Sequence, residues 1–309
     1  MTISFDPNFR FSPNEIITGK WNGAKYRIHR LLGKGANGQV YLVYQGSRPF
    51  AMKFGFHAVD LQSEVNVLKA MSRGKPAKEH YLTDIDDYET PSGNVPFYVM
   101  KYIEGYSLNE FIHRKQMQWL PVIGYQLLCR LCELHQAGWT FGDLKAQNVM
   151  VTPYGQVNLV DFGGSVQQGK SVRQFTEVYD RGYWGAGERS ADEAYDLFSF
   201  AVLCLQAEDP ALLKEAGQLI PQNRTRDWLL TKADRTRVLA EFRPLLKRML
   251  GGSVGSLEAR EEWRQLLRAS SHRTQLRALT PNGRSGWIRG LFTASAMMLC
   301  AVVYMIVSQ

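Results

Sequence analysis

In TFGDLKAQNVMV, residues 140–151, an aspartate is followed two positions on by a lysine and three further by an asparagine. LVDFGGS then supplies a second aspartate at position 161. These residue types suit the movement of a phosphoryl group. Asp143 could orient an attacking hydroxyl or accept its proton. Lys145 could neutralise charge on the group in flight. Asn148 and Asp161 offer hard oxygens of the kind Mg2+ takes when it bridges nucleotide phosphates. Any one of the four would read as well as a turn or a cap. Their order and spacing carry the argument together.

Upstream, LLGKGANGQVYLV contains Gly33-x-Gly35-x-x-Gly38-x-Val40. Glycines let a backbone approach phosphates without side-chain clash. QVYLVYQ alternates like a strand, so the loop joins strand to strand, which argues against a dinucleotide fold, where a helix follows. Lys53, in FAMKFGF, shares a strand face with Ala51 because side chains alternate. A small alanine beside a lysine leaves room for a flat base and supplies charge for phosphates. Leu61, Glu64 and Leu68 fall at i, i+3 and i+7, on one face of a helix. A carboxylate on an apolar face is costly unless paired, and Lys53 is an available partner.

The elements that must position these groups follow from periodicity. Residues 1–20 read as an irregular extension. KYRIHRLL, QVYLVYQ, FAMKFGF and NVPFYVMKYI (94–103) read as strands, and 60–71 as a helix between them. Helical patterns then dominate at 116–136, 191–207, 210–219, 226–250 and 257–279. GGSVGS (251–256) reads as a flexible break, and 280–286 as a linker. Of the four cysteines, Cys129 and Cys132 have metal-pair spacing but sit in an apolar helical run, so they read as core residues in a reducing compartment.

With those segments in place, residues 21–265 resemble a Hanks-type serine/threonine protein kinase. GKGANGQV resembles the Gly-rich loop, AMKF the lysine strand and SEVNVLKAM helix αC. YVMKYIEGYSL resembles the hinge, the opening stretch the catalytic loop, VDFGGS the DFG segment and AYDLFSFAVL helix αF. The resemblance implies an α+β bilobal fold, with a β-rich N-lobe at 21–104 and a helical C-lobe at 105–265. It implies ATP and Mg2+ as ligands and protein Ser/Thr as acceptor. Leu32, Gly33, Gly35, Gly38, Val40, Ala51 and Lys53 would enclose the nucleotide. Met100 would be the gatekeeper, and Lys101 to Ile103 would contact adenine. Asp143, Lys145, Lys53 and Glu64 would be catalytic, Asn148 and Asp161 would hold metal, and Asp196 would brace the catalytic loop. Lys145 points to the Ser/Thr class.

The departures from the pattern matter. Phe141-Gly142-Asp143 stands where the family has H-R-D, so the arginine that clamps an activation-loop phosphate is missing. Ala186-Gly187-Glu188 replaces A-P-E, and the arginine partner of Glu188 is not identifiable. The P+1 threonine is absent from its usual place, where Asp180 or Arg181 falls. Gly142 also resembles the G-D-L-x-x-x-N loop of aminoglycoside and choline kinases, which keeps a small-molecule kinase as an alternative. A catalytically inactive scaffold is the second alternative.

The net charge of +8 is uneven. From Arg224 to the end there are 15 Lys/Arg against 6 Asp/Glu, leaving 22 basic and 23 acidic residues in 1–223. A polyanionic partner follows, either nucleic acid or a membrane surface. Arg224, Arg226, Lys232, Arg235, Arg237, Arg243, Lys247 and Arg248 are the candidates. Residues 290–307 contain no charge. At helical rise that is roughly 27 Å, about one hydrocarbon core. The segment reads as a single-pass tail anchor behind a basic juxtamembrane stretch, 266–289, with the kinase domain cytoplasmic at the cell membrane. A buried C-terminal helix is the plainer alternative. Small-x-x-x-small spacings there allow a homodimer. The layout resembles the tail-anchored, sporulation-associated kinases of spore-forming bacteria (YabT-like), which implies double-stranded DNA as an activating ligand.

Overall fold

The computed structural model describes residues 10–279, apart from Ala36, Ser92, Gln116 and Gln174, together with Ser295. The chain divides into two units, one ending at Arg264 and one beginning at Gln265.

The first unit opens with a six-stranded antiparallel sheet. Its strands are β1 (Ile16–Thr18), β2 (Lys25–Gly35), β3 (Gly38–Gln45), β4 (Arg48–Gly55), β5 (Leu82–Thr90) and β6 (Gly93–Lys101), in the order β1-β2-β3-β4-β6-β5. Helix α1 (Ala58–Ser72) packs on it, burying Leu61, Glu64, Val65, Val67, Leu68 and Met71. On the other face Tyr26, Ile28, Tyr41, Phe54, Phe97 and Val99 form the core. Residues 10–20 are not the irregular tail the sequence suggests. Ile16 to Thr18 pair with β2, and Phe11 is buried against Tyr41 and Phe54. Burying such a ring is worth about 1.5–3 kcal/mol, which fixes this segment to the sheet. β5 also escapes the alternation rule, because LTDIDDYET puts three aspartates in a strand. Asp86 is buried and accepts the N–H groups of Trp21 and Asn22, so its charge has a structural use.

The second half is helical. After β7 (Tyr106–Ser107) come α2 (Leu108–Lys115), α3 (Leu120–Gln136), β8 (Trp139–Thr140), β9 (Val149–Val151), β10 (Val157–Leu159) and β11 (Val166–Gln167). Helices α4 (Glu193–Glu208), α5 (Leu212–Gln218), α6 (Arg226–Asp234), α7 (Arg243–Leu250) and α8 (Ser256–Leu279) follow. α4 is buried without interruption from Tyr195 to Ala207, as a central helix must be when it is apolar all round. Trp263 is fully buried, donates to the Pro121 carbonyl at 2.8 Å, and packs against α3 at Gly124, where a Cβ would approach its ring to 2.5 Å. Cys132 is core, with its thiol on the Ser256 carbonyl, and Cys129 is half-buried.

The single helix expected over 226–250 is two. Glu208 on α4 accepts the N–H groups of Arg237, Val238 and Leu239 at 2.6, 3.1 and 2.7 Å, holding them outside a helix. Pro244 then opens α7 in the first turn, where its missing N–H does no harm. GGSVGS is an ordered turn, with Ser256 N–H on Glu193 at 2.7 Å. α8 carries the second unit's described residues as far as Leu279. Among the described residues no helix is long and apolar enough to cross a membrane, and 290–307, apart from Ser295, lies outside them.

Candidate active site

The register of the first sheet sets one wall of the site. Val40 pairs with Lys53, Ala51 with Met100 and Lys53 with Tyr98. Paired residues of antiparallel strands project from the same face, so these side chains stand together. Gly33 pairs with Val40 and Gly35 with Gly38, which makes the Gly-rich segment the tight end of the β2–β3 hairpin. Leu32 and Val40 are half-buried and Ala51 is buried, giving an apolar surface beside the hinge. At the end of β6 the Lys101 N–H bonds the Tyr81 carbonyl at 2.8 Å, and Ile103 follows outside the strand.

Lys53 is nearly closed to water. Its ammonium lies 2.7 Å from both oxygens of Glu64 and 2.9 Å from Oδ1 of Asp161. Burial alone would push the ammonium pKa down, but Glu64 and then Asp161 outweigh it and hold it above the usual lysine value. The same exchange runs the other way at Asp161, where burial is overridden by Lys53 and the carboxyl stays below its usual range. Lys53 and Asp161 therefore meet as a charged pair.

The catalytic loop is held from beneath. Asp196, fully buried at the start of α4, accepts the Phe141 N–H at 2.6 Å and the Gly142 N–H at 2.9 Å, and bonds His135 Nε2 at 2.9 Å. Phe141 meets Phe162 edge to face, with centroids 5.5 Å apart, and so ties this loop to the segment that carries Asp161. Gly142 has φ +79°, and a Cβ there would lie 2.4 Å from the Gly164 carbonyl oxygen. Both facts require glycine. Asp161 itself is left-handed, with φ +59°, a conformation aspartate tolerates better than most residues.

The Asp143 carboxylate receives three donors, the weakest being the Asn148 amide at 3.4 Å from Oδ2. Lys145 Nζ lies 2.6 Å from Oδ2, and the Thr176 hydroxyl donates to Oδ1 at 2.9 Å. Lys145 also reaches Thr176 Oγ1 at 3.3 Å. Asn148 donates its amide to the Asp143 carbonyl at 2.8 Å, which leaves its side-chain oxygen to face elsewhere. β9 and β10 pair through Val149 and Leu159, and the Val160 N–H bonds the Asn148 carbonyl, so the hairpin register puts Asn148 beside Asp161.

The protein kinase domain family matches residues 26–252. The chain belongs to the protein kinase family. It is 41% identical over 217 residues to the serine/threonine-protein kinase YabT of Bacillus subtilis, covering 69% of this chain and 64% of that protein. It is 26% identical over 245 residues to the serine/threonine-protein kinase SMU1 of Mycosarcoma maydis, covering 71% of this chain and 32% of that one. Against the serine/threonine-protein kinase CLA4 of Candida albicans it is 26% identical over 223 residues, or 65% and 22% of the two lengths. The chain thus spans less than two thirds of the relatives it matches. These similarities favour a protein kinase over a small-molecule kinase.

Within this kinase the activation segment departs from the sequence expectation. Thr176 takes the position on Asp143 and Lys145 that counting back from Glu188 assigns to Asp180 or Arg181. Those two residues turn inward instead. Asp180, fully buried, binds Arg189 at 2.7 Å and the Tyr195 hydroxyl at 3.0 Å, and Arg181 pairs with Asp192 at 2.8 Å. Glu188 makes no ion pair among the described residues, and its carbonyl accepts from Arg181. The Asp180–Arg189 and Arg181–Asp192 pairs therefore close the end of the segment without a phosphate. Tyr179 is buried with its hydroxyl on Gln206, and Ser165 is buried, while Ser171 is exposed.

The eight basic residues do not form one free surface. Lys232 is paired with Asp209 and Glu215, Lys247 with Asp234, and Arg248 with Glu258 and Glu262. Arg243 bonds Thr236, and Arg224 lies over the Tyr183 ring and bonds the Leu219 carbonyl. Arg226, Arg235 and Arg237 are exposed and form no ion pair among the described residues. Sequence reasoning missed Tyr98, His135 and the place of Thr176 on Asp143. Tyr98 carried a usable signal, since it lies two positions before Met100 on the same strand face.

Proposed function

We propose that this chain transfers the γ-phosphoryl group of ATP to serine and threonine hydroxyls of protein substrates. The observation that carries the reading is the closed Asp143–Lys145–Thr176 group. A carboxylate that accepts an aliphatic hydroxyl at 2.9 Å, with an ammonium 2.6 Å away, is arranged to orient such a hydroxyl for attack. Lys145 offsets charge that grows on the transferring group. Lys53, fixed by Glu64, holds the nucleotide phosphates, and the β2–β3 glycines let backbone N–H groups come near them.

Mg2+ fits the donors present. Asp161 is about half exposed and Asn148 has a side-chain oxygen to spare, so each can offer one hard oxygen. Mg2+ takes one or two protein oxygens and completes its shell with phosphates and water, which these two residues can serve. Bound there, Mg2+ would neutralise phosphate charge.

The test uses the full chain, γ-labelled ATP and a general protein acceptor. Label is expected on serine and threonine. Asp143→Asn should abolish it while melting like the wild type, and Lys53→Ala should abolish it with a lower melting point, because it leaves buried Glu64 without its ammonium partner. Transfer that survives Lys53→Ala, or that goes only to an aminoglycoside or choline, overturns the reading.

Tethering at the cell membrane through 290–307, with the catalytic domain on the cytoplasmic side, is a further part of the proposal. Its support is the charge-free length of that segment and the arginines before it. Activation by double-stranded DNA rests on the basic excess after residue 223, narrowed within 224–248 to Arg226, Arg235 and Arg237 by the ion pairs, hydrogen bonds and ring contact above. Homodimerisation rests on Gly290-x-x-x-Ala294 and Ala296-x-x-x-Cys300. Autophosphorylation stimulated by DNA and fading with salt supports the DNA part, and indifference to DNA removes it.

A further inference from the structure

We propose that Tyr98 is a positioning residue for phosphoryl transfer. Its buried hydroxyl holds Glu64, and through Glu64 it holds helix α1 and Lys53 where ATP is received. This rests on the roles given above to Lys53 and Glu64.

The geometry comes from strand register. Lys53 on β4 and Tyr98 on β6 are direct partners, so both side chains leave the sheet on the α1 side. Their sequence neighbours Phe54, Phe97 and Val99 point the other way, into the aromatic core. Glu64 comes down from α1. Its Oε2 accepts the Tyr98 hydroxyl at 2.7 Å and Lys53 Nζ at 2.7 Å. Tyr98 is fully buried and Glu64 is 1% exposed. A tyrosine that only filled space here would leave its hydroxyl unpaired, whereas this one is aimed at the carboxylate.

The two donors on Glu64 are not equivalent. An ammonium has three N–H groups. Those of Lys53 already meet two Glu64 oxygens and Asp161. To bind a phosphate, Lys53 must loosen one of these contacts. The Tyr98 hydroxyl has no such second task. It sits on the sheet, next to the gatekeeper strand position, and stays on Glu64 whatever Lys53 does. A buried carboxylate that loses a donor is driven toward water. Here that movement would carry α1 away from the sheet and leave Lys53 unplaced. Tyr98 thus raises the fraction of the kinase already arranged for nucleotide, and apparent affinity scales with that fraction.

The experiment is equilibrium binding of ATP–Mg2+ to the full chain in four forms: wild type, Tyr98→Phe, Glu64→Gln and the double variant. Kinetics and thermal unfolding are run alongside. Tyr98→Phe keeps the ring and removes only the donor. We expect about tenfold weaker ATP binding, from the strength of a hydrogen bond to a charged group, with KM for ATP rising more than kcat falls. In the Glu64→Gln background, Tyr98→Phe should change binding less than twofold. Tyr98→Met, which fills the space without a hydroxyl, should repeat the loss and guards against an effect peculiar to phenylalanine. A purely structural Tyr98 would lower the melting temperature and leave KM alone, which overturns the proposal. So does an equal loss with and without Glu64→Gln. If Glu64→Gln itself binds ATP like the wild type, the Lys53–Glu64 reading fails as well. If it binds weakly while Tyr98→Phe is normal, only the role of Tyr98 fails.

Discussion

Replacing Gly142 by alanine puts one methyl group where the Gly164 carbonyl oxygen leaves it no room. The backbone is left-handed at φ +79°, and the added Cβ would lie 2.4 Å from that oxygen. Left-handed geometry costs about 1–2 kcal/mol for a residue with a Cβ. Overpacking against backbone, which cannot rotate aside, adds roughly 1–3 kcal/mol. A total near 3 kcal/mol corresponds to a melting temperature lower by about 6–12 °C for a domain of this size. The contact is with the segment that carries Asp161 and Phe162, so relief comes from moving the metal-side carboxylate. Phosphoryl transfer should therefore fall at temperatures where the variant is still folded. Gly142→Arg restores the H-R-D arginine in sequence but meets the same carbonyl, and should lose activity rather than gain a phosphate-dependent switch. Melting curves and initial rates with labelled ATP, measured on both variants, test the chain of reasoning. Gly142→Ala with an unchanged melting point and rate would refute it. An active Gly142→Arg that responds to activation-segment phosphorylation would refute the account of control.

Two further outcomes follow from single contacts. Thr176→Val preserves shape and removes the hydroxyl that donates to Asp143 at 2.9 Å; kcat should drop about 10- to 100-fold with KM for ATP little changed, since a hydrogen bond to a charged group is worth about 1.5–3 kcal/mol. Asp86→Asn weakens the anchor of residues 20–22 and should destabilise by about 2 kcal/mol at pH 7 in urea unfolding. Burial would raise the Asp86 carboxyl, but the N–H groups of Asn22, Trp21, Asp87 and Lys20 outweigh it and hold it below its usual value. Its contribution is therefore complete above the unfolded value of about 3.9 and is lost as pH falls through the lower folded one, so the gap between wild type and variant should narrow at pH 3.

The phosphoryl-transfer residues were legible because they are local. Asp143, Lys145 and Asn148 lie within one loop, and the glycines and Lys53 sit on neighbouring strands whose alternation is plain. Glu64 was legible because a carboxylate on an apolar helical face demands a partner. Phe11 and β1 were not, because a short strand without a core of its own gains its stability only from the sheet it joins. The break between α6 and α7 was hidden for a related reason: Glu208, nearly thirty residues upstream, takes the backbone N–H groups that a helix would have used. Thr176 could not be placed by counting, since Asp180 and Arg181 fold inward onto partners that adjoin them only in space. The basic residues after 223 show the limit most clearly. Sequence alone determines how many there are, and therefore the field they produce together. Only the tertiary structure decides which are already neutralised by a neighbour, because an ion pair depends on distances of a few ångströms between residues far apart along the chain.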